Sequence, residues 1–188
     1  IDKPILLDSY KLDDNIYNHP NEKELIRKII HAQKIHIKNQ VENGASIIQI
    51  FDSWAGLLEE EKKNKYIYQP TKEVVEYTKS LGVEVICFPR NIKSYKEYCD
   101  IVNPSAINID YEVDPKRIAE NINIPIQGGM DPKCLLLNKD EMLKNAKKYL
   151  EIFKNHKYIF NLGHGVMPET NPDRSEERRV GKECPLLC

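Results

Sequence analysis

The chain has almost no net charge. Its 188 residues carry 28 Lys and Arg against 29 Asp and Glu, a formal −1 at pH 7 with histidine neutral. That removes the electrostatic case for nucleic acid, which needs a basic face or stripe. A few local cations can still bind a small anion against a neutral background. No apolar run approaches the roughly 20 residues that cross a bilayer, so no membrane role is expected. The opening stretch, IDKPILLDSY, lacks the basic and apolar regions of a signal peptide and has no initiator Met. It reads as a chain that begins partway through a gene.

Cysteine is scarce and badly spaced for cross-linking. The five are Cys87, Cys99, Cys134, Cys184 and Cys188, an odd number without a C-x-x-C pair. This argues against a disulfide framework and against a thiolate zinc site, and points to a reduced, cytoplasmic setting. Cys87 falls in an apolar segment, where a free thiol behaves as a small hydrophobe. The eight glycines build neither G-x-G-x-x-G nor G-x-x-x-x-G-K-[ST], so no nucleotide loop is present. What remains is an ordinary globular composition, 40% hydrophobic with 11 Pro, of a length for one domain or most of a larger barrel.

The apolar pattern alternates between helical and strand periods. Glu22 to Asn43 carries Leu25, Ile26, Ile29, Ile30, Ala32, Ile35 and Ile37 at near-helical spacing, and Gly44 stops it. Ser46 to Phe51 follows as a short strand. Thr71 to Leu81 predicts a second helix closed by Gly82, leading into the strand Val83 to Phe88. Tyr95 to Val102 precedes the strand Ala106 to Asp110, and Asp114 to Asn121 precedes Ile122 to Ile126. The helix Lys139 to Lys154 leads into Tyr158 to Leu162. Helix then strand, repeated in this way, predicts parallel strands joined by right-handed crossovers. Strands apolar on both faces fit a sheet covered by helices.

A doubly wound sheet and a closed barrel both satisfy that pattern. The strand ends favour the barrel. They run into Asp52-Ser53, Pro89-Arg90, Asp110-Tyr111, Gln127-Gly128-Gly129 and Gly163-His164-Gly165. Barrel enzymes place their chemistry at such ends. The expected fold is therefore α/β, a TIM-type (β/α)8 barrel that is incomplete here, with five strands present and the rest upstream of Ile1.

Three stretches carry candidate chemistry. In Gln49 to Gly56 a strand runs out into a carboxylate, a hydroxyl and the single Trp. Asp52 and Ser53 suit the capping of a following helix, a common role for both. The functional reading makes Ser53 a hydrogen-bond donor to an anionic ligand. In Asn161 to Gly165 the flanking Gly163 and Gly165 leave His164 without side-chain neighbours and permit close approach or positive φ. An imidazole held there is better placed for a site than for a core. In Ile126 to Pro132 the paired glycines suit a strand-to-helix turn, with Asp131 as N-cap and Pro132 in first position.

Other polar groups carry less. Glu59 to Lys65 reads as a solvated helix face, and Arg90 suits either an anion or a surface ion pair. His31 and His36 lie in the long helix, with His19 and His156 in loops; surface or partly packed positions suffice for all four.

These segments resemble one known family. FDSWAG (Phe51 to Gly56), INIDYEVD (Ile107 to Asp114), QGGMDP (Gln127 to Pro132) and YIFNLGHGVMPET (Tyr158 to Thr170) stand in the order and spacing of uroporphyrinogen decarboxylases. The resemblance covers Ile1 to about Asp173. It implies a barrel, a homodimer, a cytoplasmic enzyme of porphyrin and heme biosynthesis, and no metal or organic cofactor. The implied reaction removes the four acetate carboxyl groups of uroporphyrinogen III to give coproporphyrinogen III.

Carried over by motif, Ser53 matches the family serine that hydrogen-bonds substrate, and His164 the histidine that contacts a substrate carboxylate. Asp52 falls where the family carries an acidic residue, without an assigned role. Gly129 stands where the family usually has Asn. The family's catalytic aspartate, its arginines and a substrate-contacting tyrosine are expected before Ile1, so no catalytic residue is assigned here.

Residues 1–173 are thus expected to be the C-terminal part of a decarboxylase barrel, inactive by itself. From Arg174 the string RSEERRVGKEC resembles an in-frame translation of a sequencing adapter, and 174–188 is read as a non-native tail. Two other readings are open. One is a corrinoid methyltransferase of the same superfamily, which needs a zinc thiolate site that this chain does not offer. The other is a non-catalytic porphyrin-binding or assembly module.

Overall fold

The computed structural model describes residues 21–171. Helix α1 spans Glu22–Glu42, its first turn carrying Glu22 and Glu24 toward the positive end of the helix dipole. Strand β1 is Ile47–Asp52. A short 3-10 turn, Ala55–Leu57, precedes α2 (Glu60–Lys63), a π turn (Asn64–Tyr68) and α3 (Gln69–Ser80). Then come β2 (Glu84–Pro89), α4 (Tyr95–Val102) and β3 (Ala106–Ile109). Helix α5 (Pro115–Asn121), β4 (Ile126–Gly128), the 3-10 turn Pro132–Leu136, α6 (Lys139–Ile152) and β5 (Tyr158–Ile159) complete the order.

The five strands are parallel and follow one another in chain order, β1-β2-β3-β4-β5. A doubly wound sheet reverses its strand order at a switch point. This sheet does not, so its winding is that of an α/β barrel wall, with five of the usual eight strands among the described residues. The chain divides between Ile107 and Asn108 into two compact units, a boundary inside β3.

The first unit has an apolar interior. Every residue of β2 after Glu84 is buried, and Val74 and Val75 of α3 are at most 2% exposed. Rings of Tyr68 and Tyr98 meet edge to face with centroids 5.4 Å apart. Ser94 caps α4 by accepting from the Glu97 N–H at 3.2 Å, and Asn103 ends it in the left-handed region at φ 53°.

Two expectations change in this unit. The covered stripe of α1 is narrow, with Ile30, Gln33 and Ile37 buried at helical spacing while Leu25, Ala32 and Ile35 face outward. More notably, Glu59 to Lys65 is not a wholly solvated face. Lys63 is 2% exposed, its Nζ 2.5 Å from Glu60 Oε1. The π turn after it widens the helix by one residue per turn. Lys63, Ile67 and Thr71, spaced four residues apart, are all buried. Hydrogen bonding from Lys63 holds the Glu60 carboxyl below its ordinary pKa.

The second unit packs α6 and the 3-10 turn over its strands. Met130, Leu135, Met142, Ala146 and Leu162 form the core, flanked by Cys134, Leu143, Tyr149 and Phe160. Side-chain caps start its helices: Asp114 accepts from Lys116 N–H at 3.0 Å, and Asn138 from Glu141 N–H at 3.0 Å. Asp131 accepts from Lys133 N–H at 2.9 Å with Pro132 in first position, as the sequence reading expects.

Strand β4 departs from expectation. It begins at Ile126, where the apolar run Ile122 to Ile126 had placed its end. Ile122 serves as the C-cap of α5, and Pro125 has no N–H to give a ladder. Pairing starts with Ile126↔Tyr158 and Gln127↔Ile159. Strand β5 is likewise short, and Leu162 rejoins the sheet through an isolated bridge to Met130.

Candidate functional site

The first group of candidate residues sits where β1 and β2 end side by side. Their register pairs Phe51 with Phe88 and Asp52 with Pro89, and the Arg90 N–H donates to the Asp52 carbonyl at 3.0 Å. Ser53 and Arg90 are therefore each one residue beyond a paired position, both half-buried. Gly56 lies against the next loop. A Cβ there would stand 2.3 Å from the Asn91 Cβ and 2.5 Å from its carbonyl oxygen. Asn91 itself adopts φ 57°, a conformation Asn tolerates better than most residues.

Asp52 and Ser53 do not occupy the N-cap positions of the helical turns that follow. The 3-10 turn after them has Trp54 as its N-cap and α2 has Glu59, neither with a side-chain cap bond. Ser53 directly follows the last residue of β1. Trp54 is 51% exposed beside it.

The second group belongs to the second unit. Strand β3 and the residue after it alternate Ile107 and Ile109 with Asn108 and Asp110, all four buried, Asp110 at 0% exposure. Gln127 of β4 donates from Nε2 to Asn108 Oδ1 at 2.9 Å, both amides buried. Asn108 Nδ2 reaches the Ile109 carbonyl at 3.4 Å, and Asp110 Oδ1 accepts from the Glu112 N–H at 3.3 Å. Gly128 has φ +85°, and a Cβ there would come within 2.8 Å of Asn108 Oδ1. Its carbonyl accepts the Tyr158 hydroxyl at 2.7 Å. Burial pushes that phenol's pKa up, and the ring stacks on Phe153 with centroids 4.5 Å apart. Gly129, where the resembled family usually carries Asn, has φ +95°.

His164 emerges from this scaffold. Leu162 bridges to Met130, and the Gly163 N–H donates to the Met130 carbonyl at 2.8 Å. A Cβ on Gly163 would stand 2.3 Å from Tyr111 N and 2.9 Å from Asp110 C. The next residues, His164, Gly165 and Val166, are exposed. The positive φ allowed for Gly163 and Gly165 is not used by either. Gly163 is required by close backbone approach, whereas Gly165 would meet nothing within 4 Å. His31 and His36 are exposed on α1, in line with the surface reading; His19, Cys184, Cys188 and the tail 174–188 lie outside the described residues.

Sequence reasoning placed Ser53 and His164 at strand ends; Ser53 directly follows β1, whereas β5 stops at Ile159 and His164 comes after the isolated Leu162–Met130 bridge. It missed the buried set Asn108, Asp110 and Gln127. Its signal was the polar residue at every second place of INID, where a strand covered on both faces should be apolar throughout. Among the described residues no three His, Cys, Asp or Glu side chains group so as to hold a metal ion.

Residues 11–177 match the uroporphyrinogen decarboxylase (URO-D) family. The chain belongs to the uroporphyrinogen decarboxylase family. Similar curated proteins carry that enzyme's name. One from Wolbachia sp. subsp. Drosophila simulans is 42% identical over 151 residues, 79% of this chain and 45% of that protein. One from Rickettsia bellii is 37% identical over 158 residues, 82% of this chain and 46% of its own length. A Cereibacter sphaeroides protein is 32% identical over 171 residues, 88% of this chain and 49% of its length. The chain spans about half the length of the curated relatives it matches. The URO-D match includes both candidate strand ends, with Ser53 and His164, and ends four residues past Asp173. No comparison points to a methyltransferase.

Proposed function

We propose that this chain supplies substrate-holding strand ends of an enzyme that converts uroporphyrinogen III to coproporphyrinogen III in porphyrin and heme biosynthesis. The observation that carries the reading is the URO-D match across residues 11–177. The placement of NLGHG supports it: glycine seats the loop on backbone and leaves His164 exposed.

The chemistry needs no cofactor. A ring carbon of one electron-rich pyrrole takes a proton, giving a cation beside the acetate side chain. The bond between the acetate methylene and its carboxylate then breaks and CO2 leaves. Its electron pair enters the ring system as an exocyclic double bond. Protonation of the methylene and loss of the first proton restore the pyrrole. Each turnover thus takes up one proton and converts an acetate to a methyl group plus CO2. The protein's work is orientation and placement of charge.

In this reading Ser53 donates a hydrogen bond to substrate, and His164 contacts a substrate carboxylate. The group that stabilises the pyrrole cation is the family aspartate, which the resemblance puts before Ile1. The enzyme works as a cytoplasmic homodimer without nucleic-acid or membrane partners. No described helix is long and apolar enough to cross a membrane. In this reading residues 1–173 are the C-terminal part of one barrel domain and 174–188 a non-native tail.

The test is anaerobic incubation of uroporphyrinogen III with a full-length decarboxylase carrying residues 21–171 of this chain. The reading requires coproporphyrinogen III and CO2 from that protein, and no CO2 from the 188-residue chain alone. A full-length protein that releases no CO2 from uroporphyrinogen overturns it.

A further inference from the structure

We propose that Trp54 is a substrate-contacting residue, its indole packing against a pyrrole ring of the tetrapyrrole. The inference rests on the proposed reaction and on the proposed role of Ser53, and it goes beyond both. Trp54 is the one tryptophan of the chain and is 51% exposed. A scattered exposed apolar side chain needs no explanation. Trp54 is set apart by where it stands and by how firmly its turn is anchored.

Strand β1 ends at Asp52, and Ser53 and Trp54 open the loop that follows. In a barrel wall such loops line the face where ligands bind. Consecutive Cα atoms lie about 3.8 Å apart, and a tetrapyrrole is several times that width. A macrocycle that takes a hydrogen bond from Ser53 therefore lies within reach of the indole. The turn beneath the ring is fixed. The Trp54 carbonyl accepts the Leu57 N–H at 3.0 Å, and Ala55 is at 0% exposure. Gly56 sits so near the next loop that a Cβ would stand 2.3 Å from the Asn91 Cβ. Uroporphyrinogen carries its carboxylates around four electron-rich pyrroles, and the roles proposed for Ser53 and His164 serve polar groups only. An aromatic face suits the pyrroles, stacked with an offset or edge to face. Carried on an anchored turn, it gives up little freedom on binding. The macrocycle stays in place while CO2 leaves, so the contact is the same before and during reaction. Such binding shows in KM and not in kcat.

Kinetics and fluorescence test it together. In a full-length decarboxylase carrying residues 21–171, Trp54→Ala should raise KM for uroporphyrinogen III about 10-fold and leave kcat within about twofold of the parent. Trp54→Phe keeps an aromatic face and should recover most of the loss; Trp54→Leu, apolar but not planar, should not. Leu57→Ala removes a side chain that is 70% exposed on the same turn and should keep the parent KM. The difference in emission between the parent and Trp54→Phe isolates Trp54. Saturating coproporphyrinogen III, added without air, should move that emission to shorter wavelength as the indole leaves water.

An unchanged KM in Trp54→Ala overturns the proposal, as does emission that stays put at saturating ligand. A fall in kcat at parental KM overturns it as well, because the indole would then be structural. An equal rise of KM in Leu57→Ala would show that the turn is felt and not the ring. A parent that releases no CO2 overturns the functional reading and this inference with it. A parent of normal turnover with Trp54→Ala at its KM overturns the inference alone. Should Trp54→Ala not fold, the Phe and Leu variants carry the test unaided.

Discussion

The strand ends of the two units are held by different means. In the first unit, β2 is buried along Val85 to Pro89 and its neighbours are Val74, Val75 and aromatic rings. In the second, β3 and β4 place Asn108, Asp110 and Gln127 inside, satisfied by one another and by backbone. An apolar interior tolerates changes of shape at modest cost. A polar one fails when one partner is removed, because the other stays buried and unpaired. The difference predicts that the segment bearing His164 is the more exacting of the two.

The largest effect should come from Gly163. Adding one methyl with Gly163→Ala drives a Cβ into the Asp110–Tyr111 backbone, and an overpacked site of this kind costs about 3 kcal/mol. Gly165→Ala, two residues away with open space around it, should change stability by no more than about 0.5 kcal/mol. Urea unfolding of both variants checks the pair. Equal midpoints would mean that the close approach is not what fixes this loop.

Next in size is the amide pair. Asn108→Ala leaves the buried Gln127 amide without its 2.9 Å acceptor, a loss of about 1–3 kcal/mol. Replacing both with apolar residues, Asn108→Leu and Gln127→Met, should cost less than the sum of the two single changes. Strict additivity in the unfolding free energies would contradict the claim that the two amides satisfy each other.

How much of this was legible in the sequence can be judged from particular residues. Helix α4 runs from Tyr95 to Val102, the span its apolar spacing marks, because Ser94 caps one end and Asn103 turns the other. Asp131-Pro132 likewise starts a helical turn as read. Strand β4 begins later than the pattern suggests because Ile122, Ile124 and Ile126 look like a strand, while the missing N–H of Pro125 delays the pairing to Ile126. Lys63 reads as surface because charge is usually outside, yet it is buried with its Nζ on Glu60. At the site, the positions of Ser53 and His164 could be read from motif and strand end. The reason for Gly163 could not, since it is a contact with Tyr111, more than fifty residues away in sequence.

The smallest effect contrasts the apolar interior with the polar one through pH. Burial pushes the Cys87 thiol up to about 12 from an ordinary value of 9.0. A raised pKa in the folded state means that its contribution is fully present below pH 9 and is lost as pH rises toward 12. Stability should therefore hold steady up to about pH 9 and then decline, and Cys87→Val should make that decline shallower. At pH 8 the thiol should resist a disulfide reagent until the protein is unfolded. Rapid labelling of native Cys87 at pH 8 would contradict its place in the core.

The account turns on His164 as a contact to substrate, and the plainest measurement compares two histidines that are both exposed. In a full-length decarboxylase carrying residues 21–171, kcat/KM for uroporphyrinogen III should fall about 10- to 100-fold in His164→Ala and stay at the parent value in His31→Ala. Equal and negligible effects of the two substitutions would contradict it.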